Sequence, residues 1–102
     1  MRTVILSPEA GDDLERLHDF ALERELQSST PNFDVRERAL AAITSALHAL
    51  VLSPFMGRKV PSQFEREIVI SFGRTGYVAY YKVTATAVIV GAVRHQRESD
   101  YY

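Results

Sequence analysis

The chain has 102 residues, of which 46% are apolar and 25% charged, with a formal net charge of −1 and no cysteine. That length and balance fit one globular domain spanning residues 1–102, and the missing thiols exclude a disulfide framework and a thiolate metal site. Near-neutrality argues against tight nonspecific nucleic-acid binding, the three histidines are too scattered for a metal site, and no run approaches the ~20 apolar residues of a membrane span.

Thr3-Val4-Ile5-Leu6 reads as a first strand, without the basic start and apolar core of a signal peptide, so the cytoplasm is the expected compartment. Ser7 and Pro8 then form a helix start, Ser7 as N-cap and Pro8 where a missing N–H costs nothing. Glu9, Asp12 and Asp13 suit the positive end of the helix dipole, and the acids along this helix read as a solvated face. Ala10, Leu14, Leu17 and Ala21 recur at helical spacing and predict a helix to about Leu26.

The polar stretch Gln27–Asn32 ends that helix. A second helix is predicted from about Asn32 to Leu52, with Leu40, Ile43, Leu47 and Leu50 on one face and Ala39, Ala42, Ala46 and Ala49 beside them. The two make an αα-hairpin. Pro54 and Gly57 close the second helix, and Arg58 to Phe64 reads as a connector or short edge strand.

Arg66 to Phe72 alternates as a strand, with Ile68, Ile70 and Phe72 on one side and Glu67, Val69 and Ser71 on the other. Gly73-Arg74-Thr75-Gly76 lacks the ending of a phosphate loop and lies between two strands, so it reads as a hairpin turn. Tyr77 to Val83 is the next strand, and Thr84-Ala85-Thr86 a second tight connection. Ala87 to Val93 is apolar on both faces, as a central covered strand would be. The predicted order is β-α-α-β-β-β, an α+β domain with a helical hairpin packed on a mainly antiparallel four-stranded sheet.

Charge is unevenly divided. Residues 1–51 hold 5 Lys/Arg against 9 Asp/Glu, a balance of −4, and residues 52–102 hold 7 against 4, a balance of +3. The basic half is richer in arginine, which suits bidentate contacts with carboxylate or phosphate. Arg66, Arg94 and Arg97 are its candidate binding cations, with Glu67 or Glu98 as candidate salt-bridge partners. If the strands flanking Tyr77–Val83 run parallel to each other, Arg66 and Arg94 fall near opposite ends of the sheet. His95, at a strand end, is a candidate proton carrier. Tyr77, Tyr80 and Tyr81 suit strand packing. Tyr101 and Tyr102 have no evident core role and could stack on a base or enter a protein groove.

Taken together, the opening strand into Ser7-Pro8-Glu9-Ala10 and Asp12-Asp13-Leu14, the Ser53-Pro54-Phe55-Met56-Gly57-Arg58 bend, the Arg66-Glu67 strand, Gly76-Tyr77-Val78-Ala79-Tyr80-Tyr81 and Val93-Arg94-His95-Gln96-Arg97-Glu98 resemble the RelE/ParE superfamily of bacterial toxins. The resemblance covers nearly the whole chain and is greatest to the ParE branch. It implies the toxin of a type II toxin–antitoxin module of the plasmid-stabilisation kind, without cofactor or metal. A ParD-like antitoxin would hold it in a hetero-oligomer, and operator DNA would be reached only through that antitoxin.

The superfamily resemblance implies two activities. RelE-like members cut messenger RNA on the ribosome, which needs a base for the ribose 2′-OH and cations on the phosphate. Arg66, Arg94, His95 and Tyr101 would be the catalytic set here. ParE-like members instead trap DNA gyrase on cleaved DNA and need no catalytic residues of their own. Only two lysines, Lys59 and Lys82, and a negative net charge depart from the RNase pattern and favour the gyrase inhibitor. Its target-binding residues would be Arg66, Arg94, His95, Arg97, Tyr101 and Tyr102. Leu14, Leu17, Arg58, Arg74 and Tyr80 would meet the antitoxin. A homologue that has lost toxicity and only binds its antitoxin is a third reading.

Overall fold

The computed structural model describes residues 2–26, 34–61, 64–72 and 75–96. Strand β1 (Thr3–Leu6) leads into helix α1 (Pro8–Leu26), and helix α2 (Asp34–Ala49) follows. Strands β2 (Arg58–Lys59), β3 (Arg66–Phe72), β4 (Thr75–Val83) and β5 (Ala87–His95) complete one sheet in the order β1-β5-β4-β3-β2. The sheet therefore has five strands, not four. The extra one is the two-residue edge strand within the Arg58–Phe64 connector, which pairs with Glu67 and Arg66 of β3.

All pairings are antiparallel except β1 with β5, which run parallel in the register Thr3 to Ala87 through Leu6 to Val90. The start of the chain is thus stitched beside its last strand. The helix start follows the sequence: Ser7 Oγ accepts the Ala10 N–H at 3.0 Å, as an N-cap should. Helix α2 is shorter than predicted, with Leu50, Val51 and Leu52 bonded back to carbonyls three residues earlier. Strands β4 and β5 each run two residues beyond their predicted bounds, β4 earlier and β5 later.

The core lies between the helices and one face of the sheet, where Leu17, Ile43, Leu47 and Leu50 meet Ile68, Ile70, Tyr77, Tyr81, Val88, Val90 and Val93. Two valines two apart and a third three further on share that face because β5 carries a bulge. Tyr80 pairs with Ala92 but Tyr81 pairs with Val90, which leaves Gly91 extra and shifts the alternation by one. On the opposite face a Cβ at Gly91 would run into the Phe64 ring, which also sits 5.7 Å from Tyr80. The segment before β3 therefore covers the bulge. Among the described residues no helix is long and apolar enough to cross a membrane.

Candidate functional site

Two clusters gather the chemistry-bearing residues, and they lie at different levels of the sheet. The first is built around the bend after α2. Pro54 and Gly57 are buried there, while Leu52, Phe55 and Met56 stand exposed. Arg66, at the start of β3, donates from Nη1 to the carbonyl oxygens of Phe55 at 3.1 Å and Gly57 at 2.8 Å. Its guanidinium also lies 5.1 Å from the Phe55 ring centre, and Arg2 approaches the same ring at 5.5 Å. Arg2 is held in turn by the Thr84 carbonyl at 2.7 Å. One exposed aromatic thus carries two cations, an arrangement favoured by the ring quadrupole.

Beneath the bend, the Gly57 N–H donates to the hydroxyl of Tyr81 at 2.9 Å. Tyr81 is fully buried, and burial raises its phenol above the ordinary value of 10.0; the Gly57 hydrogen bond and the Arg66 charge oppose that rise. Only glycine fits at 57, because a Cβ would overlap the Tyr81 hydroxyl and come within 2.6 Å of the Glu67 carbonyl oxygen and 2.9 Å of Ile68 Cγ2.

Turning inward to Tyr81, Gly57 takes the chain off the sheet edge. β2 accordingly covers only Arg66 and Glu67, with Val60 N–H to Glu65 O extending the ladder beyond Lys59. Among the described residues no strand lies along the outer side of Ile68–Phe72, the side away from β4. At the exposed corner, Met56, Gly57, Arg58, Glu67, Ile68 and Val69 line a shallow groove of about 340 Å³. Glu67 is buried in its floor and paired with Arg58, whose side chain is 79% exposed. Glu67, a candidate salt-bridge partner for Arg66, Arg94 or Arg97, is taken instead by Arg58, directly across the ladder, which leaves Arg66 to the backbone carbonyls.

The second cluster sits at the far end of β5. Arg94 forms an ion pair with Asp13 of α1, and the same carboxylate oxygen accepts the Val93 N–H at 2.9 Å. His95 presents its ring edge-on to Tyr77, 5.5 Å between centres at 89°. The register puts Arg66 across from Tyr81, while Arg94 and His95 face Val78 and Tyr77 on the other side of β4. Arg66 and Arg94 are thus apart, as the strand directions required.

Of the expected antitoxin contacts, Leu17 is a core residue and Leu14 packs against that core, whereas Arg58 stands exposed and Tyr80 is half-buried beside Phe64. Arg74, Arg97, Tyr101 and Tyr102 lie outside the described residues. Sequence reading missed Asp13 and Phe55 as site-building residues, named Glu67 only as a candidate salt-bridge partner, and read Gly57 as a helix stop within a bend. The local pairing of Asp13 with Arg16, 3.8 Å away and one turn along α1, is ordinary for a helix surface and does not reveal the partners 80 and 81 residues away.

Residues 4–100 match the family model described as the ParE toxin of the type II toxin–antitoxin system parDE. Two relatives from Caulobacter vibrioides are similar over nearly their whole length. Toxin RelE3 is 35% identical across 96% of this chain and 98% of its own, and Toxin RelE1 is 32% identical across 94% and 95%. Among solved structures, a chain from the chromosomal ParDE TA system of P. aeruginosa superposes with a TM-score of 0.67 at 15% identity, covering 93% of this chain and 96% of that one. YafQ from E. coli does so at 0.50 and 11%, covering 97% and 98%. These last two speak for the fold alone. The fold, the nearly full-length family match and the two relatives agree: this chain belongs to the ParE toxin family of type II toxin–antitoxin systems, within the RelE/ParE superfamily.

Proposed function

We propose that this toxin acts in the cytoplasm as a protein inhibitor of DNA gyrase, and that a cognate ParD-like antitoxin holds it inactive in a hetero-oligomer. The observation that carries the reading is how Arg66 and Arg94 are engaged. RNA cleavage needs cations and a proton carrier converging on one phosphate. Here Arg66 is committed to two backbone carbonyls and the Phe55 ring, while Arg94 is committed to Asp13 on the other side of β4. A binding surface tolerates that separation; a single reaction centre does not.

The antitoxin would reach operator DNA on the toxin's behalf. Its natural seat includes the exposed corner beside β2, where Val69 and Met56 are more than half exposed and Arg58 and Lys59 supply positive charge. An uncovered strand edge bordered by apolar side chains is a liability that a bound partner removes.

One finding favours a second reading, ribosome-dependent message cleavage: both Caulobacter relatives carry the name RelE. Inducing the toxin in bacteria separates the two. Gyrase poisoning gives chromosomal double-strand breaks with intact messages, and co-expressed antitoxin abolishes them. Cleaved messages on translating ribosomes with an unbroken chromosome would replace the first reading by the second.

A further inference from the structure

Strand β1 ends at Leu6, opposite Val90, so along Gly91–His95 β5 has no strand on that side among the described residues. The opening of α1 takes the strand's place. The Ser7 N–H donates to the Val90 carbonyl at 2.9 Å, and Ser7 Oγ donates to the Gly91 carbonyl at 3.2 Å. Two turns on, Asp13 Oδ2 accepts the Val93 N–H at 2.9 Å and pairs with the Arg94 guanidinium. The Asp13 side chain is only 15% exposed and that of Arg94 33%, so the pair is largely shielded from solvent.

We infer that Asp13 is a positioning residue for the target-binding end of β5: one carboxylate fixes both the strand edge at Val93 and the direction of the Arg94 guanidinium. The inference rests on the reading above that Arg94 belongs to the target-contacting surface. An unrestrained arginine loses considerable rotamer freedom when it binds, and prior ordering lowers that cost. Asp13 and the Val93 carbonyl both engage Nη1, on a fork that carries five donors. The guanidinium is therefore oriented without being used up.

The two roles come apart by substitution. Asp13→Asn keeps an oxygen for the Val93 N–H but removes the charge that orients Arg94; Asp13→Ala removes both. The assay is growth arrest against induced toxin level, with thermal unfolding of each purified toxin–antitoxin complex and amide exchange at Val93. Asp13→Asn is expected to need about tenfold more toxin for the same arrest, the size of one hydrogen bond to a charged group, with unfolding temperature and Val93 protection unchanged. Asp13→Ala is expected to lose Val93 protection as well.

Arg94→Ala keeps the two hypotheses distinguishable. If Arg94→Ala abolishes arrest and Asp13→Asn leaves it at the wild-type level, the positioning role is wrong although the target surface stands. If Arg94→Ala also arrests growth normally, Arg94 does not contact the target, and the inference falls with that reading. A loss for Asp13→Asn matched by an equal fall in unfolding temperature would make Asp13 merely structural and overturn the inference too.

Discussion

At the scale of single residues, the bend after α2 is fixed by Gly57. Its N–H is spent on the Tyr81 hydroxyl and its missing side chain leaves room for that hydroxyl and the Glu67 carbonyl. Gly57→Ala is expected to destabilise the fold by about 1–3 kcal/mol, the usual cost of overpacking a filled site, read by urea unfolding. Tyr81→Phe leaves the Gly57 N–H without its acceptor in a buried place and should cost a similar ~1–3 kcal/mol. Tyr81 also sets an alkaline limit. Folding raises its phenol pKa above 10.0, so at rising pH the unfolded chain gives up the proton first. Tyr81 therefore leaves stability flat below pH 10 and lowers it as pH climbs through the folded value. Urea unfolding on the two sides of pH 10 should show a shallower alkaline loss for Tyr81→Phe than for wild type.

Among the elements, glycines in two settings predict opposite outcomes. Gly11 lies in α1 with nothing within 4 Å of a would-be Cβ, so Gly11→Ala should stabilise by about 0.5–1 kcal/mol through helix propensity. Gly91 lies under the Phe64 ring at the β5 bulge, so Gly91→Ala should destabilise by about 1 kcal/mol or more as the ring is pushed away. Urea midpoints of the two variants, moving in opposite directions, check both. The same elements show what the sequence could reveal. Helix starts, helical stripes and alternating strands are local patterns, and Ser7, Ala10, Leu17, Ile43, Ile68 and Ile70 all sit where those patterns placed them. The bulge was hidden, because an apolar run such as Ala87–Val93 reads the same with or without a shift in alternation. The pairing of β1 with β5 was hidden as well, since it joins residues 84 apart and no neighbouring residue encodes it.

For the whole molecule, the candidate site was legible as a set of cations and only partly as geometry. Strand direction alone told that Arg66 and Arg94 would be apart. It could not tell that each would be tied down, Arg66 by carbonyls of a bend 9 and 11 residues away and Arg94 by a helix from the opposite end of the chain. Those ties turn a loose collection of arginines into two ordered patches on different sides of β4. Such an architecture suits a protein that grips a large partner better than one that surrounds a single phosphate. The direct test is supercoiling and DNA cleavage by purified gyrase, with the toxin alone and then with its antitoxin. Inhibited supercoiling and accumulated cleavage complexes are expected, both relieved by antitoxin. Gyrase that supercoils normally at a large excess of folded toxin would contradict it.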